Sequence, residues 1–521
     1  MSNFALRISD FLSIHIWVPS IGITVLLLSA QPALSHEAWL LEPKTMLELF
    51  DAPLSGVWQS VSVVSVSIAA ALFLAMVLAE YLDRRFQPLE QRLDRKYRDR
   101  MRHIALLILR VTLGSMMIAA AIGFNPRYGT EIFAEPTLFV PDLELTGATT
   151  AASIVAGIQL LAGAALVLGL YVNLASVVTI ILVAVGFILF GPQIMLSYAG
   201  HLLAPAIILI AEDPDRFEHN NPRDAHVEKL VQRAFPFLTL ERSLVMMRVM
   251  TGLTFMYLAV MDKFLHSPQL EAIIESHFMP TFGIPPEALV FVMAAVELAG
   301  GFALVVGIAE RLVAGFLIGA MLFFALVLGE SPLLHANIIG ILIAIILLGP
   351  GYIDTKQSLR PGRERITFAT VRIVAVAVVA TSVALSSLWV SDLRARVPAA
   401  DARLVHYTGS EATQPRLDGV KITQLDDQFF RVDIATRGFL FTANQLRADD
   451  LPFQGHAHVY AGSTKIATLY GREGIVGPVP DDVTILTITL MNTLHCYVST
   501  NNGVLIIEAL IHRSTEHNYF N

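Results

Sequence analysis

Long apolar runs dominate this chain, and their lengths predict helices that span a membrane. A helix needs about 20 apolar residues to cross the hydrocarbon core of a bilayer. Runs of about this length lie at residues 61–80, 104–124, 149–170, 174–191, 195–211, 243–263, 287–308, 311–329, 332–350 and 370–390. The pattern therefore predicts a polytopic α-helical membrane protein.

The apolar runs also repeat along the chain. Ile158–Gly169 matches Val296–Gly307 without a gap, and Arg110 and Gly114 fall in register with Arg248 and Gly252. A long ungapped self-match in apolar helices indicates a duplicated unit. We therefore predict two tandem four-helix units, 104–211 and 243–350, whose shared glycines let neighbouring helices approach closely.

After the last apolar run the pattern changes to short alternating stretches. Phe430–Ile434 and Leu486–Leu490 alternate apolar and polar residues, and turn signals such as Asn501–Gly503 separate such runs. Short strands at this spacing are typical of a sandwich or small barrel. We assign residues 392–521 to an all-β domain, expected to be a β-sandwich.

The N-terminal region predicts export or anchoring. An apolar run from Ile21 to Ala30 is followed by Ala33-Leu34-Ser35, where small residues at −3 and −1 suit a signal peptidase. Residues 1–35 are thus a signal peptide or a signal anchor. Residues 36–103 then comprise a periplasmic segment, one transmembrane helix and a basic cytoplasmic loop.

Charge sets the expected orientation. Only 15% of residues are charged, and the basic ones cluster at 84–102, 216–242 and 356–365, all on one side of the predicted spans. The positive-inside rule makes that side the cytoplasm. The linker 212–242 is then cytoplasmic, residues 351–391 form a cytoplasmic loop and the last helix, and the β domain lies in the periplasm of a bacterial inner membrane.

Four segments of the second unit together resemble the DoxX/DoxD family of four-helix membrane proteins. They are Val260–Leu265, the loop ending Phe282–Pro285, the helix with Glu297–Gly301, and Gly307–Leu312. The resemblance implies a membrane-embedded role, which in part of that family is quinone-linked redox chemistry. The first copy departs from the pattern, with Gln159 in place of Glu297 and Phe124-Asn125 opposite Asp262-Lys263, so any chemistry is expected in the second copy.

Ionisable residues at membrane depth usually mark function or a tight internal pair. The candidates for a polar pocket open to the periplasm are Glu297, His335, Asp262, Lys263 and His201. Such a pocket could hold a quinone headgroup, a proton or a metal ion. The alternative is a purely structural pairing, for example of Glu297 with Lys263.

The sharpest motif for metal binding lies in the β domain. His456 and His458 are two residues apart, so on a strand both face the same way. Met491, His495 and Cys496 follow a second predicted strand, and we favour His495 as the ligand over Cys496. Imidazole with soft sulfur favours copper, with zinc as the rival, and the segment resembles small periplasmic copper-binding β domains.

The N-terminus supplies a further candidate ligand. Cleavage before His36 would place an α-amine and an imidazole on one residue, a chelate suited to Cu(II). The segment that begins there also resembles the mature start of some periplasmic proteins associated with metal uptake. His36 is therefore included among the expected metal ligands.

Three functions remain after the motifs are considered. No phosphate loop, nucleophile motif, Cys-x-x-Cys or haem attachment sequence is present, and no basic run is interleaved with aromatic residues as nucleic-acid binding requires. The chain could bind a transition metal and transport it or pass it on, serve as a quinone-linked oxidoreductase subunit, or be a non-catalytic subunit of a larger complex. Expected partners are the bilayer, a metal ion, and either quinone or a periplasmic redox or metal-carrier protein.

Overall fold

A computed structural model provides the fold of the chain. It describes residues 49, 52, 54, 56–124, 136–140, 143, 145, 150–211, 233, 239–276, 279–327, 335–349, 376–377, 379–386, 404–406, 414–441, 454–462, 464–481, 483–492, 497–500, 503–511 and 513. The predicted signal segment 1–35, together with His36, His495 and Cys496, lies outside these residues.

The helices follow the predicted apolar runs closely. They are α1 (Gly56–Gln59), α2 (Val63–Ala121), α3 (Thr150–Leu168), α4 (Val172–Ala211), α5 (Leu240–Leu258, continued by a π-helical turn Ala259–Phe264), α6 (Ser267–Ser276), α7 (Pro286–Val306), α8 (Glu310–Val327) and α9 (Ala336–Leu348). In the described part of the chain, six helical stretches are long and apolar enough to cross a membrane. A multi-pass membrane protein follows from these stretches.

Helix α4 contains two of the predicted spans in one helical run of 40 residues. A Cβ placed on Gly186 would lie 2.7 Å from the Cε atom of Met195. In a straight helix these two residues would be about 13 Å apart along the axis. The run therefore folds back between its apolar stretches, Val172–Phe190 and Met195–Ala211.

Helix α2 corrects one prediction. The basic stretch 84–102, expected to be a loop, is helical within a run of 59 residues. The expectation was wrong because Glu, Arg, Lys and Leu, all good helix formers, make up most of the stretch, and Arg84 pairs with Glu80 one turn earlier. Its apolar ends, Val63–Leu89 and Asp99–Ala121, both pack against the four-helix units.

Each unit is held together where its first two helices cross. A Cβ on Gly114 would lie 2.7 Å from the carbonyl oxygen of Gly163, and a Cβ on Gly252 would lie 2.4 Å from that of Gly301. These four glycines are the ones that the repeat places in register. The predicted close approach of helices at small residues is therefore confirmed in both copies.

The two units pack side by side through equivalent helices. Gly200, near the end of the first unit, faces Thr254 of α5, and Gly340 of α9 faces Thr112 of α2. The last helix of each unit thus contacts the first helix of the other, as in an isologous dimer. One buried cluster, with Leu113, Met247 and Ile341 among its members, runs through both units.

The C-terminal region is all-β, as predicted. Its strands are β1 (Leu404–His406), β2 (Arg416–Gln424), β3 (Phe430–Arg437), β4 (Leu440–Phe441), β5 (Gln454–Ala461), β6 (Thr464–Leu469), β7 (Glu473–Val476), β8 (Ile485–Asn492), β9 (Tyr497–Thr500), β10 (Gly503–Val504) and β11 (Ile506–Leu510). They form an eight-stranded and a three-stranded sheet. Val432 of one sheet and Val459 and Ile488 of the other share a buried core, so the two sheets pack as a sandwich.

The β domain packs against the second unit. Met491 and Tyr497 belong to the same buried cluster as Tyr257, Met261 and Phe264, at the C-terminal end of α5. We call this end of the helical bundle the β side. We call the opposite end, which carries Arg110 and Arg248, the arginine end.

Candidate functional site

An ion pair between a buried lysine and a partly exposed glutamate lies near the β side of the second unit. The Nζ atom of Lys263 is 3.1 Å from the Oε2 atom of Glu297, and the Lys263 side chain is only 2% exposed. Asp262 and His266 are buried beside it in sequence, and the Nδ1 atom of His266 lies 2.5 Å from the carbonyl oxygen of Met261. The structural pairing of Glu297 with Lys263, one of the two alternatives, is therefore present.

A π-helical turn carries the lysine to this place. The N–H of Leu265 donates to the carbonyl oxygen of Val260, five residues earlier, at 3.0 Å. Such a turn inserts one residue into the helix and is frequent at functional sites. In the first unit the equivalent helix ends instead, because Gly123 adopts the left-handed conformation (φ 69°) at the position of Met261.

Three aromatic rings pack together in the second unit, and one of them, Phe264, follows Lys263 in sequence. Trp58 of α1 lies 5.3 Å from Phe264 and 5.0 Å from Phe291 between ring centroids. The indole ring is fully buried, and its Nε1–H has no hydrogen-bond partner in the described part of the chain. The N-terminal segment thus adds an apolar wall and one unused donor to the second unit.

The first unit is closed at the position equivalent to Glu297. The Oε1 atom of Gln159 accepts from the N–H of Phe139 at 3.1 Å, and its Nε2 atom donates to the carbonyl oxygens of Met117 and Thr137. The side chain is fully buried. Its amide therefore fixes Thr137 and Phe139 of the loop that follows α2 to the helices and leaves no charge there.

The two histidines of the β domain lie together on β5. Their Nε2 atoms are 3.1 Å apart, and the Nδ1 atom of His458 is 3.2 Å from the hydroxyl of Tyr460. The ring of Tyr470 lies 5.4 Å from that of His456. The strand alternation predicted for His456 and His458 is thus observed.

This pair is buried although it does not face the core of the sandwich. Ala457 and Val459, the alternate residues of β5, fill that core, so His456 and His458 face the other way. Met491 lies directly opposite His456 and joins the cluster shared with the second unit. The two imidazoles, 1% and 4% exposed, therefore lie on the face of the sheet that packs on the helical bundle.

A further polar group faces the same side of the sheet. Thr489 lies opposite His458 on β8, is fully buried, and its hydroxyl has no hydrogen-bond partner among the described residues. Buried hydroxyls are normally satisfied. Two converging imidazole nitrogens, a thioether and an unused hydroxyl thus surround one place on this face.

The remaining predicted residues fall elsewhere. The carbonyl oxygen of His201 accepts from the Nδ2 atom of Asn337 at 2.7 Å, and His335 precedes α9 as its N-cap, so both belong to helices at the junction of the units. His36 and His495 lie outside the described residues. Among the residues that are described, no three His, Cys, Asp or Glu side chains form a metal-binding group.

The sequence analysis did not identify three polar features of the folded chain. Trp58 and Thr489 are single residues in unremarkable patterns, and only their unused donors in the folded chain reveal them. The pair of Arg248 with Glu310, 3.0 Å apart at the arginine end, was also missed. The repeat register offered a signal for it, since the first copy has Arg110 but Val172 in place of Glu310.

Comparison with known proteins gave one positive result. The family model described as DoxX matches residues 105–192 and again 243–330, so each match covers the first three long helices of one unit. No curated protein and no solved structure matched the chain. Residues 105–192 and 243–330 are therefore two tandem copies of the DoxX family domain.

Proposed function

We propose that this chain binds a transition-metal ion, with copper favoured and zinc as the rival, at the face shared by the β domain and the second unit. The observation that carries the proposal is the 3.1 Å separation of the Nε2 atoms of His456 and His458. Imidazole nitrogens bind such ions at about 2.0–2.1 Å, so two that share one ion lie roughly 3 Å apart.

The surroundings suit this chemistry. An Nδ1–H of His458 that donates to Tyr460 leaves Nε2 with its lone pair toward the ion, the usual outer contact of a ligating histidine. Met491 on the neighbouring strand offers a thioether, which favours copper. His495 and His36 complete the proposed ligand set.

The proposed role is transfer of the ion toward the second unit. Met491, which lies opposite His456, joins the cluster that contains Met261 and Phe264, the neighbours of Asp262 and Lys263. Charged groups at this depth, in the unit that retains them, offer the next polar site for a cation or a coupled proton. A periplasmic metal carrier is the expected partner.

The proposed location is the bacterial inner membrane, with the β domain in the periplasm. Arg110 and Arg248 lie at the end away from the β domain, each packed against the glycine that ends the second helix of its unit. Arg311 packs against Gly349 at the same end. Clustered arginines favour the cytoplasmic side.

Elemental analysis of the full-length protein, purified in detergent, tests the metal site. We expect near-stoichiometric copper or zinc in the wild type and loss of it in the double variant His456→Ala/His458→Ala, because both nitrogen ligands are removed. His103→Ala, a histidine exposed on α2, is the matched control and should keep the metal. Equal metal content in all three proteins, each shown to be folded by thermal unfolding, would refute the proposal.

A quinone-linked function is the second candidate. The unused indole N–H of Trp58 and the ammonium of Lys263 can both donate to a carbonyl oxygen, and Phe264 and Phe291 provide apolar walls beside them. Quinone extraction of the same sample distinguishes the two functions. Quinone retained without metal would transfer the function to the second unit.

A further inference from the structure

The turn between the second and third helices has the same backbone in both units. Gly169 and Gly307 have φ angles of 73° and 82°, and Tyr171 and Ala309, two residues later, have φ angles of 51° and 44°. In both units an arginine of the first helix packs against this glycine. A Cβ on Gly169 would lie 2.5 Å from the Nη1 atom of Arg110, and one on Gly307 would lie 2.6 Å from that of Arg248.

The two arginines differ in their counter-charge. Arg248 forms an ion pair with Glu310, the first residue of α8, at 3.0 Å. The equivalent first residue of α4 is Val172, which is fully buried and carries no charge. Within the described residues Arg110 has no acidic partner, whereas the Nε–H groups of both arginines are buried without an acceptor.

The surroundings of the two turns explain this difference. In the second unit Ile308 is 1% exposed because Met76 of α2 and Val376 and Val379 near the end of the helical region cover the turn. A guanidinium enclosed by protein needs a carboxylate from the chain itself, since an unpaired buried charge is costly. The equivalent Leu170 of the first unit is 54% exposed, so that turn lies open at the apolar surface of the bundle.

We infer that Arg110 binds the phosphate of an anionic phospholipid, which supplies the negative charge that Glu310 supplies in the second unit. A guanidinium matches phosphate oxygens with two parallel N–H donors. Leu168, Leu170 and Leu174 are exposed around the turn and would contact the acyl chains of such a lipid. Basic pockets at helix ends on the cytoplasmic side of membranes are suited to lipid headgroups.

Substitution of Val172 by the residue of the second unit tests the inference. In Val172→Glu the chain supplies its own carboxylate, and we expect roughly tenfold weaker binding of phosphatidylglycerol, measured by native mass spectrometry of the full-length protein in mild detergent. Val172→Gln, of equal size but neutral, is the matched control and should keep the lipid. Arg110→Gln removes the guanidinium and should lose the lipid whether or not Val172→Glu folds.

The source of the phosphate is tested separately. Lipid-depleted protein is titrated with phosphatidylglycerol and with inorganic phosphate, and the unfolding temperature is followed. Stabilisation of the wild type but not of Arg110→Gln by the lipid supports the inference. Equal lipid binding by the wild type, Val172→Glu and Arg110→Gln overturns it, and stabilisation by inorganic phosphate alone overturns the assignment to a lipid.

The second unit supplies a negative control. Glu310→Val leaves Arg248 without its carboxylate, but the covered turn gives a lipid no access. We expect a lower unfolding temperature and no additional bound lipid. An additional lipid on this variant would contradict the argument from exposure.

Discussion

At the scale of single residues, Gln159 and Glu297 occupy the same position of the repeat but make different contacts, neutral hydrogen bonds in the first unit and an ion pair in the second. The glutamate needs a nearby cation, and Lys263 reaches it because α5 continues through a π-helical turn. The first unit has no such continuation, because Gly123 ends its helix. A neutral amide that donates twice and accepts once is suited to the closed unit.

Gln159→Glu should therefore destabilise the first unit. The carboxylate cannot donate to the carbonyl oxygens of Met117 and Thr137 and would face them in a buried place, at a cost on the order of 3 kcal/mol. The measurement is the unfolding temperature in detergent. Gln428→Glu, the same change on an exposed hairpin, should have no effect, and equal unfolding temperatures would show that the amide is not a structural anchor.

At the scale of elements, the glycine pairs set how closely the first two helices of each unit approach. A Cβ on Gly252 would lie 2.4 Å from the carbonyl oxygen of Gly301, and a Cβ on Gly301 would lie 2.5 Å from that of Gly252. Inside a bilayer the hydrophobic effect does not drive helices together, so their association depends on van der Waals contact. Glycines increase this contact because they let the two backbones approach closely. The same close approach occurs at Gly114 and Gly163, so both copies of the repeat have this helix crossing.

Gly301→Ala should force α5 and α7 apart. Overpacking of this kind costs about 1–3 kcal/mol, and the shift would also lengthen the contact of Lys263 with Glu297. Thermal unfolding measures the cost. Gly319→Ala in α8 is the control, because a Cβ there meets nothing within 4 Å. This variant should be neutral, or more stable by up to about 1 kcal/mol because alanine has the higher helix propensity. Similar losses of stability in both variants would contradict the close-packing argument.

At the scale of the whole molecule, the β domain and the helical bundle share a buried surface. The sandwich has its own core, yet its eight-stranded sheet also buries the opposite face, where His456, His458, Met491 and Thr489 lie. Met491 and Tyr497 connect this face to the second unit. We therefore expect docking on the bundle to protect the histidine pair.

Met491→Arg should separate this face from the bundle, because a charged side chain cannot enter the shared apolar cluster without a partner. We expect diethyl pyrocarbonate to acylate His456 and His458 in this variant at least several-fold faster than in the wild type, read by peptide mass spectrometry. Ile475→Arg, at an exposed position of β7, is the control and should leave both histidines protected. Wild-type labelling as fast as that of the exposed His103 would show that the face is open.

The sequence by itself determined the elements of this protein. Run length, self-match and alternation are local properties, so the two units, most of the spans, the β region and the shared orientation of His456 and His458 followed from them. The basic stretch 84–102 was the exception, since charge indicated its side of the membrane but helix propensity decided its conformation. The expected metal ligands His36 and His495 stay predictions.

Only the tertiary structure decided which of these residues meet. The pairing of Lys263 with Glu297 depends on an inserted helical residue, and the buried histidines lie on the face of the sheet that carries Met491, which packs against another domain. The missing counter-charge of Arg110 is visible only in the structure, where the two turns have the same backbone conformation but only the turn of the second unit is buried. Contacts between residues far apart in sequence depend on which surfaces of the helices and sheets pack together, and a local sequence pattern does not specify this.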